Sequence, residues 1–212
     1  MADQFAKNTA MSTADAAKIV PRAEFRVFGQ GIIDQVQPRL WDAGATLQKA
    51  RRMPAETYFV SRRTDAANVK VRDGLLDIKL KTGETAEGYE IFQPSGKFQF
   101  PVPKSDLATI LGHLQTAMPL ERDSYAIDEF IAMVRGHAGL AAVSVEKMRY
   151  GFSIGGVICE YARVWFNGAM VETACCESED YGAMKKAVEA LGIAGMPNIS
   201  YLRAAKRVVG MI

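Results

Sequence analysis

The stretch Glu146-Lys-Met-Arg-Tyr-Gly-Phe-Ser-Ile-Gly-Gly-Val-Ile-Cys-Glu-Tyr-Ala-Arg-Val-Trp-Phe-Asn-Gly-Ala-Met-Val-Glu-Thr-Ala-Cys-Cys-Glu-Ser-Glu179 decides the fold. Gly155-Gly156 and Asn167-Gly168 read as two-residue hairpin turns, because the turns that match strand twist need positive φ. With both turns tight, Arg149 falls opposite Ala162 and Lys147 opposite Val164. In the second hairpin Glu160 falls opposite Cys175, and Ile158 opposite Glu177. Paired residues share a face, and so do alternate residues along a strand. Lys147, Arg149, Glu160, Glu177 and Glu179 therefore point one way. Met148, Tyr150, Phe152, Ile154, Val157, Tyr161 and Trp165 point the other.

Carboxylates this close repel unless a cation compensates. Two readings are open from the meander alone. Lys147 and Arg149 neutralise the carboxylates in a surface network, or the carboxylates hold a hard divalent cation while the basic residues bind an anion. A second hairpin turns at Asp73-Gly74 and puts Lys70, Arg72, Asp77, Lys79 and Lys81 on one face. Val69, Val71, Leu76, Ile78 and Leu80 take the other. By itself this hairpin reads as a sheet with one solvated side.

The chain has 212 residues, enough for one substantial core, and its 49% hydrophobic and 24% charged residues are ordinary for a globular domain. A net charge of +2 gives no bulk attraction for nucleic acid, so any electrostatic function lies in local placement. Three cysteines, Cys159, Cys175 and Cys176, match neither a disulfide framework nor a zinc spacing, which points to a reduced, cytoplasmic setting. Met1 to Ala23 carries no signal-peptide core, and no stretch approaches the roughly 18 apolar residues of a membrane helix. Residues 1–20 are expected to be flexible, with one short helix through Ala14–Ile19, and residues 21–212 to form a single domain.

Elsewhere the pattern predicts a strand over Glu24–Phe28, a helix near residues 30–50 and a strand over Glu56–Arg63. Two extended segments flank Pro94-Ser95-Gly96, and Ser105 is expected to cap a helix reaching Met118. Asp123–Gly136 has helical spacing without a decisive pattern, and Val143 begins the meander. Helices are expected over Glu179–Leu191 and Ser200–Val209. Arg163 opposite Glu172 reads as a weak outer-face ion pair, His113 and His137 as structural, and Arg51-Arg52 and Arg62-Arg63 as loop charges.

In order and spacing, Glu24, Tyr58-Phe59, Lys70-Val71-Arg72, Lys79, Lys147-Met148-Arg149, Glu160, Glu177-Ser178-Glu179 and Ser200-Tyr201 resemble the CYTH-like superfamily, the triphosphate tunnel metalloenzymes. The resemblance implies an α+β fold: a closed antiparallel β-tunnel of about eight strands, charged inside, with helices packed outside. It implies Mg²⁺ or Mn²⁺ held by Glu24, Glu160, Glu177 and Glu179, with Glu177 and Glu179 carrying catalysis. Lys70, Arg72, Lys79, Lys147 and Arg149 would grip a small phosphorylated anion. The activity implied is metal-dependent hydrolysis of a triphosphate or related phosphoanhydride. The alternatives are a non-catalytic polyphosphate or nucleotide binder on the same scaffold and an adenylyl-cyclase-like activity. Arg26 and Phe28 stand where the family's opening Glu-x-Glu-x-Lys strand has its second Glu and its Lys, and Val60 replaces an Asp. Arg26 removes one metal ligand and adds a cation at the metal's position.

Overall fold

The computed structural model describes residues 21–212, so the short helix expected over Ala14–Ile19 lies outside the described residues. Eight antiparallel strands close into a ring. In ring order they are β1 (Ala23–Gly29), β10 (Ala169–Ser178), β9 (Val157–Phe166), β8 (Leu140–Ile154), β2 (Thr46–Ser61), β3 (Thr64–Arg72), β4 (Leu75–Glu84) and β5 (Glu90–Gln99). The ring closes where Ala23 meets Ile91 and Glu24 meets Glu90. The short strands β6 (Val102–Pro103) and β7 (Ser124–Tyr125) pair separately. The described residues also form five helices: α1 (Ile32–Asp42), α2 (Lys104–His113), α3 (Ile127–Arg135), α4 (Tyr181–Ala190) and α5 (Tyr201–Val208).

The meander has the register that the turns dictate: Lys147 pairs with Val164, Arg149 with Ala162, Glu160 with Cys175 and Glu177 with Ile158. Lys70 pairs with Asp77 across β3 and β4. The three turns share one cause. Asp73-Gly74, Gly155-Gly156 and Asn167-Gly168 all hold both central residues at positive φ, between 49° and 87°.

The outward faces build two apolar layers. Phe25, Val27, Val157, Cys159, Tyr161 and Cys176 lie under α1 and α4. Phe59, Val69, Val71, Leu76 and Ile78 lie under α2 and α3. A third cluster differs in place. Val60, Val143, Val145, Val164 and Phe166 face inward at one end of the ring, where Leu202 and Ala205 of α5 cover them. The lumen is thus charged along one part and apolar at the α5 end.

Several expected boundaries move. The helix near residues 30–50 ends at Asp42, because its apolar stripe is Ile32, Ile33, Val36 and Leu40; Thr46–Ala50 instead pairs with β8, leaving Leu47 exposed. Strand β2 therefore starts ten residues before Glu56, with Arg51 and Arg52 in strand rather than loop. Pro103, not Ser105, precedes α2, which stops at His113 ahead of Gln115 in the left-handed region. The extended segments around Pro94 are one strand that absorbs Pro94 through register shifts. Ile127–Arg135 is a helix, and β8 begins at Leu140. Glu172 does more than pair with Arg163 at 3.8 Å: it also accepts the Ile33 backbone N–H at 3.1 Å and so caps α1. His137 closes a turn, with Nε2 3.2 Å from Thr116 Oγ1 and Nδ1 accepting from the Gly139 N–H.

Candidate functional site

The lumen holds two charged groupings. In the first, β2 contributes Glu56 and Tyr58, β3 contributes Lys70 and Arg72, and β8 contributes Lys147. Lys147 Nζ donates to Glu56 Oε2 at 2.6 Å and to the Tyr58 hydroxyl at 3.0 Å. Lys70 Nζ donates to Tyr58 at 3.4 Å and lies 3.6 Å from Glu56. Arg72 donates to Asp77 Oδ2 at 2.6 Å and lies 3.8 Å from Glu56. Burial and repulsion from Lys70 push the Lys147 ammonium down to about 8, against the pull of Glu56. Burial likewise lowers Lys70. Burial would raise Glu56, but Lys147 and Lys70 outweigh it and keep the carboxyl below its ordinary value.

The second grouping surrounds Arg26, which is only 2% exposed. Its Nε donates to Glu24 Oε1 at 2.6 Å; Nη1 is 3.6 Å from Glu160 Oε1, and Nη2 is 3.9 Å from Glu177 Oε1. Nη2 also donates to Cys175 Sγ at 2.9 Å, and burial keeps that thiol protonated. The Tyr201 ring lies beneath the guanidinium, 4.6 Å from ring centroid to Cζ. Glu160 Oε2 takes a hydrogen bond from Arg149 Nε at 2.6 Å, while its Oε1 is buried without a hydrogen-bond partner. Burial would raise Glu24, yet Arg26 holds it below the usual range. Glu177 goes the other way: burial and the neighbouring Glu24 charge push it up to about 7.

The structure thus brings Glu24, Glu160 and Glu177 around one guanidinium, and gathers Lys70, Arg72 and Lys147 around Glu56. Glu179 falls beyond β10, half exposed, 3.5 Å from Arg22. Lys79 points into the lumen and has no ion-pair partner among the described residues. A cavity of about 470 Å³ is lined by Glu24, Lys79, Glu90, Glu177, Ser200 and Tyr201 among others.

Sequence reasoning did not single out Glu56. Its signal is the alternation Glu56-x-Tyr58-x-Val60, which becomes an inward face only once β2 is paired with β8. Tyr201, beside both Arg26 and Lys147, was visible only as a helix start.

A divalent cation does not fit the carboxylates as they stand. Arg26 stands among all three as a fixed cation, and among the described residues no group of three or more acidic, His or Cys side chains has a metal-holding geometry. Among the described residues, no helix is long and apolar enough to cross a membrane.

No protein-family model and no curated protein matches the chain. Among solved structures it is similar to a Hippeastrum protein described as a putative adenylyl cyclase with a dominant triphosphatase activity, at 12% identity over 89% of this chain and 95% of that one, TM-score 0.48. It is also similar to a conserved hypothetical protein from Pyrococcus furiosus, at 15% identity over 85% and 98% of the two chains, TM-score 0.46. A putative adenylate cyclase from Bacillus halodurans gives 12% identity, 86% and 96% coverage and a TM-score of 0.43. The closed eight-stranded ring with a charged lumen is itself the tunnel architecture that the sequence resemblance implies.

Proposed function

We propose that this protein binds a small phosphorylated anion, such as a polyphosphate or nucleotide, inside its β-tunnel without a resident metal ion. The supporting observation is the enclosure of Lys70, Arg72 and Lys147 around Glu56 and Asp77, with Lys79 unpaired beside a cavity. Three cations face two carboxylates, Glu56 and Asp77, so this cluster keeps one net positive charge in a low-dielectric setting, where an anion is attracted more strongly than in water. Arg72 offers paired donors to phosphate oxygens, and the lysines act as point charges.

Metal-dependent hydrolysis and cyclic nucleotide formation are the other chemistries the resemblance implies. Both ask for a cation where Arg26 sits, which favours the binding reading over them.

Calorimetric titration with tripolyphosphate in EDTA tests the proposal. Saturable binding is expected, weakened about tenfold or more in Arg72→Gln. Binding that appears only with Mg²⁺ or Mn²⁺, together with phosphate release or cyclic AMP formed from ATP, would replace it with one of the catalytic readings. No binding under either condition would remove all three.

A further inference from the structure

Two of the three cysteines face each other across neighbouring strands of the tunnel wall. Cys159 of β9 pairs directly with Cys176 of β10, with no register shift between that pair and the Asn167-Gly168 turn. In a two-residue hairpin the pair flanking the turn, here Phe166 and Ala169, exchanges both ladder hydrogen bonds, and bonded and non-bonded pairs alternate from there. Cys159 stands seven positions before Phe166 and Cys176 seven after Ala169, so theirs is a non-bonded pair. Such pairs hold their Cα atoms about 4.5 Å apart, with side chains closer than in bonded pairs, which is inside the range a disulfide spans. The two sulfurs lie 3.8 Å apart, in contact as free thiols.

Cys175, the nearest cysteine in sequence, is held apart from both. Successive residues of a strand point to opposite faces. The Cys175 sulfur faces the lumen, where Arg26 Nη2 donates to it at 2.9 Å, whereas Cys159 and Cys176 face outward into the apolar layer under α1 and α4. The adjacent pair Cys175-Cys176 is therefore the one that cannot join, and the pair distant in sequence is the one in contact. Beyond each other, the only polar contact of the outward pair is the Val157 carbonyl, 3.9 Å from Cys159 Sγ.

We propose that Cys159 and Cys176 are a two-electron redox site: hydrogen peroxide joins them in a reversible cross-strand disulfide that clamps β9 to β10 on the outer face of the wall. Two thiols and one peroxide give one disulfide and two waters. One sulfur attacks the O–O bond, which releases water and leaves a sulfenic acid; the second sulfur displaces that hydroxyl, which departs as water with the remaining thiol proton. Burial under α1 and α4 slows the first step relative to an exposed thiol. Contact favours the second, because the sulfenic acid meets its partner sulfur before another peroxide reaches it, and the irreversible sulfinic acid is avoided. Cys159 precedes Glu160 and Cys176 precedes Glu177, so the clamp fixes the two strands that carry those carboxylates into the lumen.

The test treats the folded full-length protein with hydrogen peroxide, quenches with catalase, and alkylates the remaining thiols in denaturant. Free thiols are expected to fall from the three of the sequence to Cys175 alone, with the mass lowered by two hydrogens. Peptide mapping should find the label on Cys175 and a bond between Cys159 and Cys176, and dithiothreitol should restore all three thiols. The oxidised protein is expected to melt about 6–12 °C higher, from closing a loop of this length. Cys175→Ser should still form the bond, and Cys176→Ser should not. Three thiols kept by the folded protein at a peroxide concentration that oxidises the urea-unfolded chain overturns the proposal. So does a bond that includes Cys175, a sulfinic acid in place of the bond, or a melting temperature lowered by oxidation. Should either variant fail to fold, the position of the label in the wild type decides.

Discussion

Glu56→Gln isolates the central electrostatic arrangement of the lumen. Glu56 lies 2.6 Å from Lys147 and 3.6 Å from Lys70, and both lysines are nearly buried. The amide keeps the shape and removes the charge, so two ammonium groups are left facing each other without an anion. Breaking a buried ion pair from one side costs about 3–5 kcal/mol. For a domain of this size that is a melting temperature lowered by about 6–20 °C. The loss should ease with rising pH. A buried lysine whose folded pKa lies below its unfolded value makes the unfolded state bind more protons, so stability rises as pH passes the folded value. That value is about 8 in the wild type and lower still in the variant. Tripolyphosphate should rescue the variant more than it stabilises the wild type, because the ligand's oxygens replace the missing carboxylate. Urea denaturation at pH 6.5 and pH 9, with and without tripolyphosphate in EDTA, measures all three effects. A destabilisation under about 1 kcal/mol, or equal stabilisation of both proteins by the ligand, would refute the account of the cluster.

Tripolyphosphate affinity of the wild type should fall between pH 6.5 and 9, since Glu177 gains charge near 7 and Lys147 loses it near 8; titrations of Glu177→Gln and Lys147→Gln should each lack one step, and profiles identical to wild type would contradict the assignment. Arg26→Gln uncovers Glu24, Glu160 and Glu177, so Mn²⁺ should raise the melting temperature of this variant and not of wild type, with manganese resonance spectroscopy as a second readout and Arg26→Lys as a control that keeps the charge. Glu172→Ala removes the acceptor at the start of α1 and should cost about 0.5–2 kcal/mol by chemical denaturation, with tripolyphosphate binding intact.

The hairpins could be read because their turns are local. Asp73-Gly74, Gly155-Gly156 and Asn167-Gly168 each fix a register, and register alone assigns every side chain to one face. The inward placement of Lys70, Lys147 and Glu160 follows from that plus ring closure. Glu56 was not legible, because its neighbours are set by the long pairing of β2 with β8, distant in sequence, across two register shifts; Pro54 marks the place of one but not the register beyond it. The first half of β2 failed for a related reason. Its residues Thr46–Arg52 are exposed and carry no period-2 apolar alternation. Arg26 was legible as a departure from a pattern, while its hold on three carboxylates needed the spatial meeting of β1, β9 and β10.

The ring joins β1 to β5 through only two residue pairs, whereas β1 meets β10 through seven. Beyond Glu24 the β5 side of β1 is covered by the segment before α5: Arg26 N–H donates to Asn198 Oδ1 at 2.9 Å, and Ile199 N–H donates to Arg26 O at 2.7 Å. The barrel therefore has a seam, and the chain's own C-terminal segment is its fastener. That fastener grips the backbone of the residue whose side chain balances the acidic grouping, so loosening the C-terminal segment opens the wall and frees the internal counter-ion together. A strand edge kept shut in this way is also hidden from other molecules, which makes the last fifteen residues a guard against edge-to-edge aggregation as much as a cover for the lumen.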